Sequence, residues 1–186
     1  KGKKMITKAF VLEKGKKGSK AFNLQEWPVA VLLENQVLIE SEAFGLNYAD
    51  VMASQGLYRE APPRPCVIGY EVVGTIIQVG SNLSSDWIGK RVLAFCRFGG
   101  YAKQVITEEY AFTEVGKENA GELLALCTQG VTAYYMSQYL SPIRKNDRVL
   151  IHAAAGGVGT LLIQMVKNAG GTVYAKIGGK KKEKLV

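Results

Sequence analysis

Apolar and polar residues alternate along Gln36-Val37-Leu38-Ile39-Glu40-Ser41-Glu42, the period-two signature of a strand with one buried face. Residues 5–12 read as a short strand and 15–19 as a lysine-rich turn. Residues 48–55 suit a short helix stopped at Gly56, and Pro62, Pro63 and Pro65 form an elbow after it. Residues 67–79 read as one long bent strand or two, with Gly69 and Gly74 marking a bulge or a close backbone approach. Strands over 91–95 and 101–107 follow. Short strands about every ten residues, divided by turn signals, predict a compact, barrel-like β-domain.

The pattern changes near Lys117. Residues 118–126 and 132–140 have helical spacing, and Pro142 ends the second helix. Residues 148–153 form an apolar strand, 161–168 an apolar-periodic helix that stops at Gly170-Gly171, and 172–175 a second strand. Strand, turn, helix and strand within about thirty residues make a βαβ unit with a parallel pair. The expected division is 1–125 for the β-domain and 126–186 for the βαβ region.

The turn of that unit reads Ala153-Ala154-Ala155-Gly156-Gly157-Val158-Gly159. Small residues let backbone approach a ligand, and the unpaired N–H groups and positive dipole end of the next helix favour a pyrophosphate. Counting from Ala154, the spacing A-x-G-x-x-G is a variant of the dinucleotide fingerprint, placed between strand and helix as that fingerprint requires. Beyond the second strand, Lys176-Ile177-Gly178-Gly179-Lys180-Lys181-Lys182 offers no acid until Glu183. A site for NADH puts an acid there for the ribose 2′-hydroxyl, whereas lysines suit a 2′-phosphate. NADPH is the expected cofactor; a solvated helix start is the other reading of the lysines.

Composition narrows the classes. The chain has 186 residues, 47% hydrophobic and 22% charged, ordinary for a globular protein. Its net charge of +8 is concentrated at the ends: +7 over residues 1–20, +4 over 176–186 and −3 between them. A duplex-binding face spreads over a folded surface, so no nucleic-acid partner is expected. Cys66, Cys96 and Cys127 are scattered and odd in number and His152 is the sole histidine, so neither a disulfide framework nor a metal site is expected. The cysteines read as small core residues and His152 as a core histidine. No apolar run approaches a membrane span and the N-terminus has no secretory pattern, so a cytoplasmic setting is the expectation.

Six segments resemble, in order and spacing, the medium-chain dehydrogenase/reductase superfamily in its zinc-independent, zeta-crystallin-like quinone oxidoreductase branch. They are Gly45-Leu46-Asn47-Tyr48-Ala49-Asp50, Gly56-Leu57-Tyr58, Gly69-Tyr70-Glu71-Val72-Val73-Gly74, Gly89-Lys90-Arg91-Val92, Gln129-Gly130-Val131-Thr132-Ala133-Tyr134 and the glycine turn. The resemblance implies a fold of class α/β plus β: a GroES-like β-barrel catalytic domain followed by a Rossmann-type parallel βαβ domain. That domain would be incomplete, since a six-stranded sheet needs more chain than is present, so a fragment of a longer protein is expected. Zinc alcohol dehydrogenases place Cys where this chain has Asn47 and His where it has Tyr70. Cys127, near a third ligand position, cannot hold zinc alone, and the four-cysteine structural loop is missing.

The implied activity is hydride transfer from NADPH to a small-molecule quinone or activated enone, acceptors electrophilic without a Lewis acid. By resemblance Asn47, Tyr58 and Thr132 line the nicotinamide and substrate pocket and are the expected catalytic residues. Asn47 and Thr132 also touch the cofactor, with Ala154, Gly156, Gly157, Val158, Gly159, Gly178 and Lys182. Tyr58 is either a hydrogen-bond donor to the developing enolate or quinol oxygen or a pocket wall, and Asp50 a helix cap. Two other readings stand: an enoyl reductase of the same superfamily, and a non-catalytic vesicle- or membrane-associated relative whose terminal lysines touch acidic lipid. A homodimer is expected of the full-length protein.

Overall fold

A computed structural model describes residues 5–186; the basic residues 1–4, part of the N-terminal charge noted above, lie outside the described residues. The chain forms two compact units, one running to Cys127 and the other comprising Thr128–Val186.

The first unit is built on antiparallel strands. β1 (Ile6–Leu12) pairs with β2 (Phe22–Pro28) and with the two-residue β4 (Cys66–Val67). A five-stranded sheet has the order β7 (Gln104–Glu108), β3 (Gln36–Phe44), β5 (Glu71–Val79), β6 (Arg91–Phe95) and β8 (Phe112–Glu114). Val37, Leu38 and Ile39 of β3 are all buried, so the strand is covered on both faces there, not on the single face its pattern predicts, beside a register shift between Leu38 and Ile39. Val37 and Ile39 share a core with Val11, Leu12, Ile68, Val72 and Ile76. Burying each such side chain contributes roughly 1.5–3 kcal/mol. Gly74 marks a close approach: a Cβ there would lie 2.2 Å from the Glu40 carbonyl oxygen, beside the register shift between Ser41 and Ala43.

Helix α1 (Tyr48–Gln55) follows β3. The Asp50 carboxylate accepts the Asn47 N–H at 2.8 Å, satisfying one helix-entry donor. Gly56, at φ 76°, ends the helix in the left-handed region that favours glycine. The half-buried Arg64 guanidinium then donates to four carbonyl oxygens, those of Ala53 and Ser54 in the last turn of α1 and those of Glu13 and Lys16 in the lysine-rich turn. A cation suits the negative end of a helix, and the planar fork lets one side chain serve both segments. The unit ends with the short helix α2 (Ala120–Ala125), capped by the Asn119 side chain.

In the second unit α3 (Val131–Tyr135) lies between two π-helical turns, Leu126–Gly130 and Met136–Leu140. β9 (Arg148–Ile151), α4 (Gly157–Asn168) and β10 (Thr172–Ala175) form the expected βαβ unit, with β9 and β10 parallel. Its core is small: Ile151, Ala154, Ile163 and Val166.

Several boundaries differ from expectation. β2 and β8 have no counterpart in the sequence reading. The strand expected over 101–107 runs over Gln104–Glu108, and the helix over 132–140 divides into α3 and a π-helical turn. α4 starts at Gly157, four residues earlier than its apolar periodicity indicates, because the glycine turn itself supplies its first residues. His152 lies just past β9 and is exposed, not in the core.

Candidate functional site

In the second unit the turn from β9 into α4 is the notable feature. Ala153 is held at φ 50°, uncommon for a residue with a side chain, and its carbonyl accepts the Gly156 N–H at 2.8 Å. Gly156 caps α4, so Gly157, Val158 and Gly159 form its first turn, where backbone N–H groups lack intrahelical partners. Gly159 permits the closest backbone approach: a Cβ there would meet Ala153 O at 2.6 Å and Ala154 Cα and O at 2.7 Å. These neighbours are backbone and cannot swing aside, so the turn requires glycine there for helix–strand packing. At Gly157 a Cβ would collide with the Gln129 side-chain amide. Gln129, within the matching segment at 129–134, is thus packed against the turn, a placement its sequence position does not reveal.

The far end of β10 lies beside this turn, since Ala154 N–H donates to Lys176 O at 3.0 Å and Lys176 N–H to Ile151 O at 2.9 Å. Lys182 belongs to an exposed 3₁₀ segment, Lys180–Leu185. Gly178 has open space where a Cβ would sit, so no close contact requires glycine there. Thr132, on α3, is exposed and donates its hydroxyl proton to the Thr128 carbonyl at 2.6 Å, leaving its oxygen to accept.

The first unit holds a buried polar cluster around the start of α1. Asn47 is 9% exposed, and its Nδ2 donates to Glu71 Oε1 at 2.9 Å. Glu71 begins β5 and is 1% exposed. Asp50 is also buried; burial pushes its carboxyl above the usual value, Glu71 adds to the rise, and the Asn47 N–H opposes it. Burial likewise raises the Tyr101 phenol, with Asp50 and Glu71 adding to it, and pushes the Cys96 thiol up to about 12. All three cysteines are buried, and Cys96 is no nucleophile. An apolar hollow of about 590 Å³ flanks Asn47 and Asp50, walled by Phe10, Phe22, Phe44, Leu46 and Tyr101.

Tyr58 is half-buried after α1 and meets the Tyr70 ring edge-on, with centroids 6.3 Å apart at 85°. Burial raises the Tyr70 phenol, and Tyr58 adds to it. A phenol so reluctant to ionise and an amide already engaged with Glu71 are poor metal ligands. Among the described residues no three His, Cys, Asp or Glu side chains gather as a metal-holding group.

Comparisons with known proteins match the fold described above. Residues 33–141 match the alcohol dehydrogenase GroES-like domain. A probable quinone oxidoreductase of Schizosaccharomyces pombe is 35% identical over 135 residues, 72% of this chain and 40% of the relative. The crystal structure of the human synaptic vesicle membrane protein VAT-1 homolog-like protein superposes with a TM-score of 0.90 at 29% identity, covering 97% of this chain and 59% of that one. A mycobacterial protein solved in complex with NADPH gives a TM-score of 0.85 at 28% identity, covering 96% and 55%. The chain thus spans about two fifths to three fifths of the length of these relatives. A GroES-like domain followed by the start of a parallel βαβ region, with the six segments in order, leads to one assignment: the chain belongs to the medium-chain dehydrogenase/reductase superfamily, in its quinone oxidoreductase and VAT-1-like branch.

Proposed function

We propose that the chain serves a zinc-independent, NADPH-dependent oxidoreductase whose acceptor is a small-molecule quinone or activated enone. In this division residues 1–125 supply the substrate side and 126–186 the nucleotide side. The observation that carries the reading is the turn at Ala154, Gly156, Gly157, Val158 and Gly159, where a Cβ at 159 would meet backbone at 2.6–2.7 Å and α4 offers its first N–H groups. That cradle fits a pyrophosphate. The NADPH complex of the mycobacterial relative supports the choice of nucleotide, as do Lys176 and Lys180–Lys182, which precede any acid after β10.

NADPH, when bound, supplies the hydride. The first-turn N–H groups of α4 would hold the pyrophosphate and Lys182 the 2′-phosphate; Gly178 leaves open room in the same segment. Thr132, its proton committed to Thr128, would present an acceptor oxygen on the nicotinamide side. Asn47 orients the ligand through its fixed amide, and the apolar hollow beside it suits a flat, weakly polar acceptor. Tyr58 donates a hydrogen bond to the acceptor oxygen as negative charge develops there.

The test is NADPH oxidation with quinone, enone and enoyl-thioester acceptors, together with the N47A and Y58F variants. Turnover with a quinone or enone that falls in both variants supports the reading; turnover with the thioester alone transfers it to an enoyl reductase. The likeness to the VAT-1 homolog-like protein favours one second reading, a non-catalytic vesicle-associated role. Co-sedimentation with anionic vesicles in the absence of turnover supports that role. No described helix is long and apolar enough to cross a membrane.

A further inference from the structure

Glu71 is buried at the head of β5, on a strand otherwise filled by valine, isoleucine, glycine and threonine up to Ile77. Its side chain lies directly against the Cα of Gly45: a Cβ at 45 would fall 2.0 Å from Oε1 and 2.6 Å from Cδ and Cγ. The Gly45 N–H meanwhile donates to the Glu71 carbonyl at 3.3 Å. Two residues on, Asn47 donates Nδ2 to that same Oε1 at 2.9 Å, and its backbone N–H is held by Asp50. The bare backbone at 45, the acid at 71 and the amide at 47 thus form one packed group.

We propose that Glu71, seated on Gly45, is a positioning residue that fixes the orientation of the Asn47 amide and hence the hydrogen-bonding face Asn47 turns to a bound ligand. An asparagine amide can rotate by half a turn at little steric cost, which exchanges its donor and acceptor. A carboxylate only accepts, so it admits the nitrogen and repels the oxygen. Buried as it is, Glu71 makes a wrongly turned amide costly, because two acceptors would then face each other away from water. The orientation is set by a residue 24 positions further along the chain, and Gly45 leaves the room in which that residue acts. The inference rests on placing Asn47 at the reacting site, as proposed above.

The experiment compares full-length wild type with E71Q, G45A, N47A and E71Q/N47A. E71Q keeps the volume but presents an amide that meets Asn47 in either orientation. G45A keeps the carboxylate but displaces it. The Asn47 side-chain NH₂ pair, assigned by its loss in N47A, is followed in ¹H–¹⁵N spectra alongside the kinetics. Expected are the same displacement of that pair in E71Q and G45A, and a fall of about tenfold in kcat with KM nearly kept, the size of a lost charge-assisted hydrogen bond. E71Q/N47A should be no slower than N47A, as for residues acting through one another. An NH₂ pair that does not move in E71Q, or losses that add in the double variant, would overturn the proposal.

If the variants do not fold, the wild-type protein still decides. An Asn47 amide proton that is downfield and slow to exchange supports the contact, and one that behaves like an exposed asparagine overturns it. Absence of any NADPH-dependent turnover in wild type would sink the functional reading, and the NH₂ resonance would then judge Glu71 alone.

Discussion

The first unit fixes polar side chains by packing, whereas the second presents backbone N–H groups from a turn. In the first, Leu12, Ile39, Ile68 and Ile76 are all fully buried, between strands that are far apart in sequence. In the second, the packed cluster is Ile151, Ala154, Ile163 and Val166, and the turn at Gly156–Gly159 opens α4. Long-range packing can hold polar groups away from water in fixed places, and the first unit does so with Asn47, Asp50 and Glu71. A short βαβ segment excels at something else: a rigid turn that aims N–H groups at a ligand. The comparison separates a region whose contribution is fixed side chains from one whose contribution is backbone.

The strongest way to break that contrast is to cut into the first unit's core. Ile76→Ala should cost about 2–5 kcal/mol, read as a shift in the denaturation midpoint followed by Trp27 and Trp87, both packed on the first unit's core. An unchanged midpoint would remove long-range packing from the comparison. Gly159→Val tests the backbone role directly. It should abolish NADPH binding in a titration while leaving the emission of Trp27 and Trp87 unchanged, because the collision is confined to the α4 turn. Retained binding would remove the cradle from the account. Gly156→Val is gentler, since a Cβ at 156 meets Ala153 O at 3.1 Å; its loss of affinity should be the smaller of the two.

Lys182→Glu should cut the preference for NADPH over NADH by about tenfold, measured as the ratio of the two dissociation constants. An unchanged ratio would make the lysines solvated surface. The smallest effect concerns pH. Burial raises the Asp50 carboxyl, Glu71 adds to the rise, and the hydrogen bonds from Asn47 and Tyr101 oppose it without cancelling it, so the folded state holds that proton more tightly than the unfolded chain. Its contribution to stability is therefore present below the ordinary carboxylate pKa and fades as pH rises through the raised value. Asp50→Asn should flatten this slope, and the variant should gain on wild type as pH moves from acid towards neutral. Denaturation midpoints across that range check it; parallel curves would show that Asp50 does not carry the slope.

Features set by neighbours in sequence were legible in advance. The helix Tyr48–Gln55, its stop at Gly56, the strand Arg91–Phe95 and the strand Thr172–Ala175 all follow from caps, glycines and short apolar runs. β2 was not legible, because Phe22–Pro28 pairs only with β1 and alternates poorly in burial. β8 is too short to show a period. The π-helical turns around α3 keep a helical polarity pattern while the hydrogen-bond ladder slips by a residue. At the site, the glycine turn was readable as a local motif, with Gly159 the member pressed closest to backbone. The pairing of Asn47 with Glu71 was not, since no local period links positions 24 apart. One sign existed: an acid at the head of a strand that is otherwise apolar for several residues needs a partner inside.

The Arg64 clamp carries a consequence for survival in a protease-rich environment. The turn that it holds contains Lys14, Lys16 and Lys17, with Lys20 close behind, a row of trypsin-type cleavage points on an exposed loop. Cleavage needs the backbone to unfold locally into the protease, and the Glu13 and Lys16 carbonyls are tied by the guanidinium to the end of α1. A lysine at 64 would bring a point charge without the two-pronged reach. One planar cation thus guards four cutting sites, and the half-life of the chain against trypsin depends on a residue about fifty positions away from the bonds at risk.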